Sequence, residues 1–307
     1  MKLRPFRLSV LGLSLLIPAA LCAVVLFLLI YSGQAIAFNG LHFLRESNWN
    51  LGDLYGNPVV ERGVLVPPGA NYGILVFIVG TLLSSFIAII IAVPLAVGAA
   101  IFLAEIVPAK IRPIPAMLVE LIAVVPSVVF GLWGIAVLIP FIGKYLAPTG
   151  DGYGLLAASI VLALMITPII ASTLLDALLQ VPKENRESAF ALGATHFEVV
   201  SKAMLPMVRT TLVGGIVLAL GRALGETMAV LMVSGGGLNK LPHSIFAPIS
   251  TIASFIAGQL DAAEADPTNM SVRALAEIAL VLFIITLSVN ACAKLISSGA
   301  VRVRKRS

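Results

Sequence analysis

Five long stretches of this chain contain no charge at all: residues 8–37, 72–104, 121–143, 152–175 and 241–260. Two more, 210–233 and 274–293, are apolar except for Arg222 and Glu226 in the first and Glu277 in the second. A helix needs about 20 apolar residues to cross a bilayer. Runs of this length and number have no soluble core large enough to absorb them. Only 11% of the residues are charged, against about 25% in soluble domains. The chain is therefore read as an all-α, polytopic membrane protein.

Six of the seven runs are expected to span. The run 241–260 holds two prolines, a histidine and several hydroxyl residues, so it is expected to lie outside the bilayer or to be partly embedded. The first run follows Lys2, Arg4 and Arg7, as in a secretory signal. It is longer than a signal's apolar core and no small-residue cleavage site closes it, so an uncleaved first helix is expected. Fourteen of the 20 basic residues fall on one side if that side also holds the N-terminus. The other side receives Arg45, Arg62, Lys144 and Lys240. Positively charged loops stay cytoplasmic, so both termini are expected there.

The expected organisation is a short N-terminus (1–7) and one transmembrane domain (8–307). The domain would carry an outer loop (about 38–70), a cytoplasmic loop (about 181–209), an outer segment (about 235–270) and a basic C-terminus (about 297–307). Pro67-Pro68-Gly69 supplies turn chemistry at the end of the outer loop. Val93-Pro94, Pro126 and Thr167-Pro168 place prolines within spans two, three and four, where they are expected to kink the helices.

Several kinds of chemistry are excluded. The Gly-rich, Lys-Ser/Thr phosphate loop is missing, so the chain does not bind ATP by that motif. His42, His196 and His243 lie in different segments without ligand spacing, and no Ser-His-Asp or Cys-His set shares a face. Cys22 and Cys292 sit singly in apolar runs and form no framework. The one dense basic cluster ends a hydrophobic helix, which argues against nucleic-acid binding. No cofactor is expected on this chain.

The loop VPKENRESAFALGATHFEVVSKAMLP, residues 181–206, is too long to be a simple connection. Pro182 suits a helix start, and Gly193 suits a helix C-terminal cap. Thr195 followed by Glu198 forms a capping box for a second short helix. Pro206 is expected to break the chain before span five. Ala189, Phe190 and Leu192 offer an apolar knob that reads either as docking into a groove on a partner or as an ordinary loop packed on its own bundle.

Span five reads GGIVLALGRALGETMAV, residues 214–230. Arg222 and Glu226 are four apart, so on a continuous helix they share a face and can pair. Either charge alone would cost roughly 2.5–3.5 kcal/mol at the bilayer centre, which disfavours a lipid-facing position. The pair reads either as part of a substrate path or as a structural pair that fixes helix register. Gly221 and Gly225 form a small-xxx-small pair that lets another helix approach. Glu120, Asp176 and Glu277 lie near interfaces, and solvation or local pairing, such as Arg273 with Glu277, accounts for them.

Glu187, Ser188, Ala189, Gly193, Leu205 and Pro206 resemble the loop signature of ABC-importer permeases, with Ser188 in place of the usual second alanine. Ala203 also stands where that family commonly has a branched aliphatic. GRALGETMAV (221–230), VELIAVVPSVVFGLWG (119–134) and TIASFIA (251–257) are similar to segments of PstC-type phosphate permeases. Met228-Ala229 stands where the sister PstA permeases carry an Ala-Pro pair. The resemblance implies a type I importer permease fold with six spans and a cytoplasmic coupling helix, in a bacterial-type inner membrane. It implies a PstA-like second permease, a PstB-like ATPase dimer that holds ATP and Mg, and a PstS-like phosphate-binding protein. It carries a substrate-path role to Arg222, Glu226 and Thr227. Sulfate or molybdate permeases share the loop but not the span-five string. A proton-coupled transporter would have no use for the loop, and an intramembrane enzyme would need a catalytic set that the sequence lacks.

Overall fold

The computed structural model describes residues 3–147 and 150–304, with side chains throughout except at 3–6, 8, 9, 293 and 295–304. Lys2, Lys305 and Arg306, and the side chains of most of the expected terminal segments 1–7 and 297–307, lie outside the described residues. Among the described residues, six helical stretches are long and apolar enough to span: Val10–Leu44, Leu75–Ile106, Ser127–Tyr145, Leu155–Leu179, His196–Leu224 and Met270–Cys292. The chain divides into two compact units, residues 1–75 with 256–284, and residues 76–255 with 285–307.

In the first unit, α1 (Leu3–Asn39) runs into a 3-10 turn, Gly40–Leu44. The outer loop is less irregular than its sequence suggests. Strands β1 (Trp49–Asn50) and β4 (Asn71–Tyr72) pair antiparallel, with Trp49 opposite Tyr72. Between them β2 (Val59–Glu61) and β3 (Val64–Val66) form a hairpin whose two turn residues, Arg62 and Gly63, both have positive φ (49° and 77°). That geometry matches the right-handed twist of the strands. Arg62 is pinned there: its Nη1 donates to the Phe38 carbonyl at 2.6 Å. Pro67–Ala70 form the expected turn, closed by Ala70 N–H to the Pro67 carbonyl at 3.1 Å.

The end of α11 (Ile252–Glu264) and the start of α12 (Met270–Arg304) belong to this unit. The Arg273–Glu277 pair expected from the sequence does not form. Buried Glu277 accepts from Asn39 Nδ2 at 2.7 Å, whereas Arg273 bonds Gln34 and lies over the Tyr31 ring. Helix α1 supplies all of these partners, and span spacing gives no hint of them.

Asp266 organises the turn before α12. Its carboxylate accepts from the backbone N–H and hydroxyl of both Thr268 and Ser271, at 2.7–2.8 Å. Burial opposes the charged form, but these four donors outweigh it and hold the carboxyl below its usual pKa.

In the second unit, α2 (Leu75–Ile101) ends in a π-helical turn, Phe102–Ile106. A short helix α3 (Pro113–Val124) follows. Pro126 stops this helix instead of kinking a continuous span three. The span itself is α4 (Ser127–Trp133), a π-helical turn and α5 (Ile139–Tyr145). Glu120 accordingly sits on the exposed side of α3, ahead of the span. The residue before a proline is pushed out of the helical region, and Val125 is extended (ψ 129°). Pro94 and Pro168 stay inside their helices.

Helix α6 (Leu155–Leu179) is the most buried span of this unit. Its core face includes Val161, Leu162, Met165 and Ile166, packed with Ala88, Ala92 and Ala96 of α2. A helix α9 (Leu205–Leu224) packs along it, close enough that a Cβ on Gly215 would sit 3.3 Å from Thr173. The expected close approach thus occurs at Gly215. A Cβ on Gly221 would meet nothing within 4 Å.

The segment 234–251 presses on the starts of α2 and α6. Carbonyls of Ala247 and Ile245 accept from Leu155 and Leu156 N–H at 3.0 and 2.7 Å. Ile252 N–H donates to Thr81 Oγ1 at 2.9 Å, and Phe77 stacks on Phe255 at 3.8 Å. Gly80 faces the Ser250 carbonyl directly.

Candidate functional site

Two regions of the second unit carry the features singled out in the sequence. The first is the loop after α6. Helix α7 (Lys183–Ala191) starts directly after Pro182 and carries Glu184 in its first turn. It closes with Gly193 at φ 86°, the left-handed conformation that glycine adopts without a Cβ penalty. Gly193 N–H bonds the Phe190 carbonyl at 2.9 Å and Ala194 N–H bonds the Ala189 carbonyl at 3.2 Å. This is a Schellman cap. Thr195 and Glu198 complete the capping box at the start of α8 (His196–Glu198), and Lys202 holds Glu198 at 2.8 Å.

Pro206 does not break the chain. Helix α8, a π-helical turn at Val199–Met204 and α9 run on without interruption, with Pro206 at the start of α9. Proline has no N–H, and the wider π turn before it removes the need for one. The second short helix of the loop is thus the foot of span five. Leu205 is partly buried in the cluster formed by Val199, Val200 and Met204.

Capping at both sides of Gly193 presents an apolar tip. Leu192 is 89% exposed and Phe197 79%, with Phe190 beside them in edge contact with His196. Ala189 instead turns inward and packs on the core. Glu187 and Ser188 are exposed. Sequence reasoning missed Phe197, and it missed the anchor of the element: Arg186 forms an ion pair with Glu105 at the end of span two. Glu105 follows directly on an uncharged run, which is the only trace of this role in the sequence.

The second region is span five. Its helix stops at Leu224, and residues 225–227 separate it from α10 (Met228–Val233). The interruption removes the shared face on which Arg222 and Glu226 were expected to pair. No ion pair joins them among the described residues. Glu226 Oε1 accepts from Ala229 N–H at 3.3 Å, and Thr227 Oγ1 donates to the Gly225 carbonyl at 3.3 Å. Arg222 and Gly225 are exposed, and Gly221 is partly so. The structure therefore keeps Arg222, Glu226 and Thr227 within one interrupted turn but leaves the guanidinium open.

The family model described as "binding-protein-dependent transport system inner membrane component" matches residues 96–300. Phosphate transport system permease protein PstC 1 of Mycobacterium tuberculosis is 47% identical over 278 residues, covering 85% of this chain and 82% of that protein. PstC of Pasteurella multocida is 38% identical over 294 residues, covering 90% and 85%. The chain belongs to the PstC family of these permeases. The resemblance read from 221–230 and the 181–206 loop is borne out. A PstC-family chain is a multi-pass inner-membrane permease subunit of an ABC transporter and is not itself catalytic. The fold agrees: a bacterial alginate ABC transporter solved with a pentasaccharide-bound periplasmic protein aligns at TM-score 0.57 and 15% identity. That alignment covers 96% of this chain and 98% of the alginate transporter chain. The MetNI methionine transporter, in an inward-facing form, aligns at 0.53 with 21% identity, over 72% and 91%.

Proposed function

We propose that this chain forms half of the translocation pathway of an ATP-driven inorganic phosphate importer. The single observation that carries the coupling part is the capped, outward-facing tip of Leu192, Phe190 and Phe197, braced by Arg186 against Glu105. Such a tip fits a cleft on an ATPase subunit and transmits movement to span five, because α8 is continuous with α9. The names of the PstC relatives support phosphate as the substrate.

Arg222 supplies the chemistry. A guanidinium binds phosphate oxygens in pairs, and its position on an interrupted span gives it room to do so. Glu226 competes for Arg222 when the turn at 225–227 rearranges, which keeps phosphate weakly held and releasable. Thr227 adds a hydroxyl to the same turn. The partners are a PstA-like permease, a PstB-like ATPase dimer that holds ATP and Mg, and a PstS-like binding protein that delivers phosphate from outside. Both termini and the 181–209 loop face the cytoplasm.

The test is uptake of labelled phosphate by the complete complex in vesicles, with and without ATP and with sulfate as competitor. ATP-dependent uptake that sulfate does not compete is expected. Arg222→Ala abolishes it while the complex still assembles. Normal uptake by that variant refutes the role of Arg222, and uptake driven by a proton gradient without ATP refutes the coupling.

A further inference from the structure

A polar groove of about 360 Å³ lies between the last turns of α6 and the first turns of α9, at the end of the unit that carries α7. Ser172, Thr173, Asp176, Gln180 and Thr211 line it, and none of its lining residues is basic. Two of its hydroxyls have already spent their protons. Ser172 Oγ and Thr173 Oγ1 both donate to the Ile169 carbonyl, at 3.3 and 2.7 Å. Those two hydroxyls therefore offer an anion no proton in this arrangement. The exposed Asp176 carboxylate adds a negative charge that no lining cation offsets, and only the Gln180 amide and the Thr211 hydroxyl remain as donors.

The groove is aligned with Arg222. Eleven residues separate Thr211 from Arg222, close to three full turns, so both lie on one face of α9, about 16 Å apart along the axis. Gly214 and Leu218 are exposed on or near the same face. A cation thus stands in the last turn of α9, and a groove that carries a negative charge and no cation stands at its foot.

We infer that this groove is the inward release site for the transported anion, with Asp176 expelling it and opposing its return. The inference rests on the phosphate reading above. Asp176 is a positioning and release residue: it makes the cytoplasmic side bind phosphate poorly and leaves capture from outside to other groups. A single like charge at roughly 4 Å in water changes occupancy about fivefold.

The experiment uses the complete complex in vesicles loaded with ATP and graded unlabelled phosphate, with binding protein and labelled phosphate outside. The reading is the internal phosphate concentration that halves initial uptake. Asp176→Asn is expected to lower that concentration about fivefold while the outside KM stays unchanged. Thr211→Asp, which adds a second carboxylate to the same groove, is expected to raise it, and it serves as an independent reading if Asp176→Asn does not assemble. Equal half-inhibition in both variants and wild type overturns the release site, as does a change in outside KM alone. A wild-type complex that takes up no phosphate overturns the phosphate reading itself, and this inference with it.

Discussion

Replacing Gly193 by Ala isolates one force in the docking element. The residue sits at φ 86°, and an added Cβ would meet nothing within 4 Å. No packing change accompanies the substitution, so its cost is that of the left-handed backbone alone, roughly 1–2 kcal/mol. The more restricted unfolded chain offsets about 0.4–1 kcal/mol of that. The net is about 1 kcal/mol, or about a fivefold larger population in which the Schellman bonds are open. Hydrogen exchange of the peptide carrying Leu192, Gly193 and Ala194 measures this directly. The Ala variant should exchange about fivefold faster there, with the core of α6 unchanged. Gly193→Asn should recover most of the protection, because Asn tolerates this conformation. Unchanged protection in the Ala variant, or equal loss in Ala and Asn, would refute the reasoning that backbone conformation holds the tip in place.

Two further outcomes follow from contacts described above. Gly80→Ala pushes a methyl group into the Ser250 carbonyl, a backbone atom that cannot swing aside, and should lower stability by about 1–3 kcal/mol in thermal unfolding of the detergent-solubilised chain. Asp266 has its carboxyl held below the usual range, so its stabilising contribution is full at neutral pH and is lost as pH falls through the folded-state value. Unfolding of wild type and Asp266→Asn followed from neutral to acid pH should therefore show the gap between them shrinking on acidification. A constant gap would count against the carboxylate's role.

The spans were legible because lipid demands long uncharged runs, and a span's existence depends on little else. The caps of the 181–206 loop were legible because Gly193, Thr195 and Glu198 act on backbone within a few residues of themselves. What the sequence hid was set by distant partners. Arg186 finds Glu105 across 81 residues, and Glu277 finds Asn39 across 238. The break at 225–227 was hidden as well, because GRALGETMAV has continuous apolar periodicity around it. Arg222 and Glu226 were found by their charge and Thr227 by resemblance, but the spacing argument for the Arg222–Glu226 pair assumed a continuous helix, whereas α9 stops at Leu224. Pro126 and Pro206 look alike in sequence, yet one separates two helices and the other lies within a continuous helical run. The difference lies in the residues before them, extended at Val125 and wound into a π turn ahead of Pro206.

The carbonyls of Ile245 and Ala247 have a consequence for how the chain is made. A helix begins with N–H groups that lack partners, and inside a bilayer such groups are costly. At the start of α6 these partners come from residues about 90 positions further along. During synthesis, span four therefore emerges with its first turn incomplete. It stays so until span five and the segment beyond it have been translated. Two backbone oxygens that arrive late thus complete the first turn of span four, and a chain truncated before Ile245 should leave the insertion machinery with span four inserted but frayed at its start.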